Sequence, residues 1–426
     1  MTETLKDVEL PKMAEVRQFF DRSKIDDIEG AVMDALCGPK FSGLDIEGKS
    51  IAVTCGSRGI ANIAEVIRSV VQFLKEKGAE PFIVPAMGSH GGATAEGQRQ
   101  ILASLGVTDE STGCEIRSSM ETVKIGESTD GHEVRIDKNA YGADGIVLVN
   151  RIKPHTSFRG EFESGLMKMM AIGLGKQSGA ESCHESGFKH MAEMVPAFGR
   201  VILKNANVIA AVGIVENAYD ETAIIEGLLP SEIEKGEPEL LKMASELMPK
   251  LLFESCDLLI VDRIGKNISG TGMDPNISGA FGTPYASGGI DAQRRCILDL
   301  TDETHGGAYG MGAADVITAR LRNKIDFAQT YPNAITSTTL SFVRVPMTVD
   351  SDREAIGVCL KTCVGTDKAR PRVVRIKDTA SMDKIMISEA MIPEAERIIK
   401  ESNGKPPLEI IGEAAPFAFD ENGNLF

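Results

Sequence analysis

The chain has 426 residues, 42% of them hydrophobic, with a formal charge of −16 and a sequence pI near 5.0. That length holds two domains with separate cores, and the composition excludes a disordered chain. The negative charge argues against nucleic acid and anionic membranes as partners. With no basic leader and no apolar run of about 18 residues, the expected location is the cytoplasm.

In chain order, SIAVTC (50–55) is β-rich, and AEVIRSVVQFLKEKG (64–78) has the apolar period of a helix ending at a glycine. EPFIVPAMG (80–88) predicts a second strand and AEGQRQILASLGV (95–107) a second helix. HEVRIDK (132–138), GIVLVN (145–150) and NVIAAVGIVEN (207–217) continue the strands. SEIEKGEPELLKMASELMPKLLF (231–253) is a polar stretch leading into an amphipathic helix, and the domain crossing is placed there.

The pattern then restarts. DLLIVDRIG (257–265) predicts a strand and loop, ADVITARL (314–321) a helix, RPRVVRIKD (370–378) a strand and EAMIPEAERIIKESNG (388–403) a helix. Alternating strands and helices define an α/β class with largely parallel sheets. The expectation is two α/β domains, 1–245 and 246–426, with a ligand cleft between them. The eight cysteines are scattered, so no disulfide scaffold is expected, and Cys359 with Cys363 is weak evidence for a metal.

Ligands of open α/β sheets gather at the carboxyl ends of strands. Three polar loops follow such ends: GSRGI (56–60), MGSHGGAT (87–94) and RIKPHTSFRG (151–160). Arg58 offers a two-pronged grip on a carboxylate. His90 and His155 offer proton transfer near neutral pH. Downstream, Lys168 stands among methionines in SGLMKMMAIG, a setting that favours a neutral, nucleophilic amine. On composition alone, a lysine whose stem covers apolar surface while its ammonium reaches water is the better account of Lys168.

His184 follows Cys183, but neighbouring side chains diverge and His190 is at the wrong spacing to share a helical face with it. One histidine is too few for a conventional zinc site. GLGKQSG (173–179) approaches a phosphate loop but lacks the full G-x-x-x-x-G-K-[ST] pattern. Lys176 and Lys153 are candidates for a cofactor phosphate or the substrate, and Asp262 and Lys266 for a second-domain contribution.

Taken together, GSRG, MGSHGGAT, KPHTSFRG and GLMKMMAIG, with His184 sixteen residues after Lys168, resemble the nickel-dependent lactate racemase family. The resemblance spans roughly residues 48–190. It implies a racemase or epimerase acting at C2 of a 2-hydroxy acid by reversible hydride transfer. It implies that Arg58 holds the substrate carboxylate and that His90 and His155 are the paired acid–base residues. Lys168 would carry a covalently tethered nickel-pincer nucleotide, with His184 as the metal ligand. Cofactor-assembly enzymes would then be partners. The GEFES stretch (160–164) and Lys153 depart from the lactate pattern, so a larger or more anionic 2-hydroxy acid is expected. Two alternatives stay open: a 2-hydroxy-acid oxidoreductase using a free nicotinamide, which the missing glycine fingerprint disfavours, and a non-catalytic ligand-binding homologue.

Overall fold

The alternation that marks SIAVTC and GIVLVN as strands also decides which side chains meet. The computed structural model describes residues 2–57 and 59–426. Its strands are β1 (Met13–Gln18), β2 (Ser50–Cys55), β3 (Glu80–Pro85), β4 (Thr122–Glu127), β5 (Glu133–Asp137), β6 (Gly145–Arg151), β7 (Val208–Glu216) and β8 (Thr222–Leu228). They continue with β9 (Ser255–Ile264), β10 (Asp291–Leu300), β11 (Val316–Thr318), β12 (Met347–Val349), β13 (Val373–Ile376), β14 (Lys384–Ser388) and β15 (Leu408–Ala415).

Two compact units result: one of residues 21–248, the other of the chain up to Phe20 together with 249–426. The first holds a five-stranded sheet in the order β3-β2-β6-β7-β8. The pairings are parallel except for β8, which runs antiparallel to β7. Ile51, Val53, Val147 and Val149 face the helices Ile28–Cys37 and Ile63–Glu76. Ala52, Phe82, Ile146 and Leu148 face the opposite core, which takes in Met167, Met170, Phe198 and Leu240. Each large side chain buried there contributes roughly 1.5–3 kcal/mol relative to exposure. The chain moves from β2 to β3 on one side and later from β6 to β7 on the other. Adjacent β2 and β6 therefore form a topological switch point, where open α/β sheets place their ligands.

The other unit is built on an eight-stranded sheet, β12-β11-β10-β9-β13-β14-β1-β15. Five neighbouring strands pair in parallel, and β14, β1 and β15 add antiparallel pairings. Two structural differences from the expected layout arise here. The expected first domain began at residue 1, yet β1 pairs with β14 and β15 of the C-terminal sheet, because Met13 and Val16 find apolar cores on its two faces. The expected helix at 314–321 is strand β11 followed by the helix Ala319–Lys324. Its Val-Ile-Thr run is β-branched and pairs with Cys296 and Ile297, and Thr318 caps the helix by accepting from Leu321 N at 3.1 Å.

No helix among the described residues is long and apolar enough to cross a membrane. Cys359 and Cys363 are buried, and Cys363 Sγ donates to Cys359 O at 3.2 Å.

Candidate active site

Because β2, β3 and β6 are parallel, the loops that follow them leave the same edge of the sheet. Arg58, in the first loop, lies outside the described residues. Its neighbour Ser57 places Oγ in hydrogen-bond contact with Nδ1 of His90, joining the first loop to the second. His90 itself is exposed. Its loop is held by Gln98, whose Nε2 donates to Gly88 O at 2.8 Å and to His90 O at 3.3 Å. Gly88 has φ +59°, and its N–H donates to Gly173 O at 3.2 Å. A Cβ there would stand 3.3 Å from Ile172 Cγ2, so glycine answers both the backbone conformation and the close approach.

The third loop is built around a buried carboxylate. Glu163 Oε2 accepts the His155 N–H at 2.6 Å, and Oε1 accepts the Gly160 N–H at 3.2 Å. Arg159 Nη1 lies 3.4 Å from Glu163 and donates to His155 O at 2.6 Å. Lys153 and Ser164 exchange backbone hydrogen bonds at 2.9 and 3.2 Å, closing the loop at its base. The GEFES stretch (160–164) thus supplies the group that holds the His155 loop. Ser157 N–H donates to His155 Nδ1 at 3.0 Å, so Nδ1 is an acceptor and the neutral ring carries its proton on Nε2. Burial pushes the His155 imidazole well below its ordinary basicity, helped by the positive charge of Lys168 and by His184, Arg159 and Lys153.

Lys168 closes a short helix, Leu166–Lys168, and a π-helical turn, Met169–Leu174, follows it. Such wide turns cost regular hydrogen bonding and occur mostly at functional sites. The lysine is half-buried, between fully buried Met167 and Met170. The helix Lys176–His184 then presents His184 at its last position. His184 Nδ1 is 2.7 Å from Ala180 O, so this nitrogen carries the proton and donates. Nε2 is left with its lone pair, the tautomer a metal ligand requires. Burial lowers the basicity of His184, against the bond to Ala180, and Lys168 lowers it further. The Phe188 ring lies 6.4 Å from the His155 ring and 6.0 Å from the His184 ring. His155, Lys168 and His184 are therefore one cluster, with the His90 loop docked on the π-helical turn behind Lys168.

Lys176 has a different setting from the cofactor contact expected of it. It is fully buried, with φ +54°. Its ammonium donates to Pro85 O and to Gln98 Oε1, the latter at 3.0 Å, and lies 3.2 Å from Asp137 Oδ2. Burial pushes the Asp137 carboxyl up and the Lys176 amine down, each opposed by the other's charge. The pair ties the helix carrying His184 to β3 and β5, beneath the site. Replacing Lys176 by methionine should destabilise the protein by about 3 kcal/mol in urea unfolding, because Asp137 is left buried alone. Adding Asp137→Asn should recover part of that loss, since asparagine still caps Ala140. Asp262, in the other unit, has both oxygens engaged by Arg375 at 2.7 and 3.0 Å, and Lys266 is exposed.

A reading of the loops passes over Glu237, on the helix Ile233–Leu247, whose spacing four residues after Ile233 and three before Leu240 puts a carboxyl on the apolar face. It is fully buried, and Oε2 accepts the Met167 N–H at 2.9 Å. Burial pushes its carboxyl up to about 7, against the hydrogen bonds from Met167 and Leu166. A carboxyl raised on folding stabilises fully below its ordinary value and loses that contribution as pH rises through the raised one. The stability of Glu237→Gln relative to the parent should therefore increase between about pH 5 and about pH 8, by roughly 3 kcal/mol at most. Melting temperatures measured across that range check it, and a difference that stays flat would contradict the raised value.

Among the described residues no group of three or more His, Cys, Asp or Glu side chains is placed to hold a metal ion. The fold and site define a doubly wound α/β unit with histidines and a half-buried lysine in the segments that follow the strands of its switch point. Residues 21–195 match the family model described as the lactate racemase N-terminal domain. Among solved structures, the lactate racemase apoprotein from Thermoanaerobacterium thermosaccharolyticum is similar in fold, with a TM-score of 0.52 and 17% identity. The match covers 87% of this chain and 99% of that one. No curated relative matches the chain significantly in sequence.

Proposed function

We propose that the protein is a racemase or epimerase acting at C2 of a 2-hydroxy acid. In this reading a nickel-pincer nucleotide is attached through Lys168, and His184 is its metal ligand. The observation that carries the reading is the cluster itself: a half-buried lysine beside two imidazoles whose tautomers are set by Ser157 N–H and Ala180 O. The donor set fits such a group, because His184 keeps a free Nε2 and a lowered basicity, as metal binding needs a neutral ring. When bound, the cofactor supplies a reversible hydride acceptor for C2, chemistry that no side chain provides.

The protein's own part is proton transfer and positioning. His155 is neutral at pH 7 and so is able to take the proton of the substrate hydroxyl. Its basic nitrogen is Nδ1, which accepts the Ser157 N–H, so taking a proton requires the ring to give up that bond. His90 performs the same task from the second loop, with Ser57 steadying its ring. Two such groups serve the two enantiomers, whose hydroxyls approach from opposite sides. Arg58 is assigned to the substrate carboxylate, which would hold the acid in place while its C2 face is exchanged. Cofactor-assembly enzymes are the implied partners.

The test is expression beside those enzymes, followed by intact-protein mass, nickel analysis and chiral analysis of a panel of 2-hydroxy and aldonic acids. A mass increment on Lys168, bound nickel and interconversion of one pair of stereoisomers are expected. Unmodified Lys168 with no nickel under those conditions would sink the reading.

A further inference from the structure

The helix carrying Lys168 begins without a cap of its own. The residue before it, Gly165, has extended backbone at φ −176° and no side chain to accept the first amides. Those N–H groups have no partner within the helix. Helix-breaking geometry follows at once, since Met169–Leu174 is π-helical. The position of Lys168 therefore depends on how its single regular turn is anchored.

We propose that Glu237, from the helix Ile233–Leu247, is a positioning residue for Lys168. Its carboxyl lies behind that turn, takes the Met167 N–H, and so sets where the lysine amine is presented. Two independent features of the packing support this. The Met167 N–H reaches Glu237 Oε2 at 2.9 Å. An added Cβ at Gly165 would stand 2.0 Å from Glu237 Oε1, so the missing side chain is what admits the carboxyl. The group is fully buried, and its Oε1 has no hydrogen-bond partner among the described residues. A carboxyl is a costly choice there, and leucine would fill the same space with no polar atom to desolvate. What leucine cannot do is accept the amide.

The functional consequence rests on Lys168 being the tether, but the positioning itself is measurable without any cofactor. Glu237→Gln keeps an acceptor and the shape, whereas Glu237→Leu keeps the volume only. In apoprotein, the acylation rate of Lys168 relative to the other lysines, read by mass spectrometry, should change on the order of tenfold in E237L, since small displacements of a reacting group have effects of that size. Amide exchange at Met167 should quicken in the same variant. With the assembly enzymes present, tether occupancy should fall in E237L. E237Q should match the parent in all three.

If E237L folds, melts cooperatively and matches the parent in acylation and exchange, the proposal is overturned. It is equally overturned if E237Q behaves like E237L. Should E237L fail to fold, Glu237→Asp, which withdraws the carboxyl by a methylene, is read in its place against the same outcomes. A parent protein that never gains mass on Lys168 would remove the tether reading. The acylation and exchange results would still decide the role of Glu237.

Discussion

Lys168→Ala is expected to yield a folded protein that gains no mass beside the assembly enzymes, binds no stoichiometric nickel and shows no interconversion of 2-hydroxy-acid stereoisomers. The fold should survive because only the half-buried outer part of this side chain is lost, while Met167, Met169 and Met170 keep the core contacts. The effect on chemistry should be complete. A covalent attachment has no substitute, and an amine added from solution cannot reproduce a lysine presented from one anchored turn. Two secondary consequences make the variant more informative than an activity assay. The positive charge of Lys168 lowers the basicity of both His155 and His184. Removing it should raise the imidazole titrations, and NMR titration of the apoprotein reads that shift without any cofactor. Retained mass increment at another lysine, or retained activity, would remove Lys168 from the mechanism.

His155→Ala and His90→Ala should each lower turnover on the order of 10²- to 10⁴-fold, the usual worth of a positioned acid–base group. Both should keep the tether and the nickel, which separates loss of proton transfer from loss of the cofactor. His155 is the sharper case, because its ring is held by Ser157 N–H, its backbone by Glu163 and its face by Phe158 at 4.5 Å between ring centres. The variant removes the ring and leaves the Glu163 hydrogen bond to residue 155 intact, so the loop should stay in place. His90 is exposed and its ring is in hydrogen-bond contact with Ser57 Oγ, so Ser57→Ala should give a weaker version of the His90 defect. Because racemisation passes through both proton-transfer steps, each variant should slow interconversion starting from either enantiomer, as read by chiral chromatography. Undiminished racemisation in either variant would refute its acid–base assignment.

The candidate site divides by the range of the interactions that make it. The loops bearing His90 and His155 were legible because each follows an apolar run and is rich in glycine or proline, which is local information. Lys168 stood out by its methionine neighbours. Lys176 misled for the same reason. Its glycine-rich surroundings look like an anion loop, but its partners Pro85, Gln98 and Asp137 are brought to it only by the sheet. At 314–321 the pattern suggested a helix. Pairing with β10 decided otherwise, since a three-residue strand is stabilised by its neighbour more than by its own residues.

By itself the sequence determined the α/β class, the two apolar faces of the central strands and where the polar loops that carry the candidate residues leave the strands, because apolar period and turn residues act over a few positions. Only the tertiary structure decided which nitrogen of His155 and His184 is bonded, that β1 joins the C-terminal sheet, that Lys176 is a buried strut, and that Glu163 and Glu237 hold the His155 and Lys168 segments. Those are hydrogen bonds and packing contacts whose partners the fold selects. In the amphipathic stretch EIEKGEPELL the helical spacing from Ile233 and Leu240 puts Glu237 on the apolar face, but its partner segment at Gly165, seventy-two residues earlier, is supplied only by the fold.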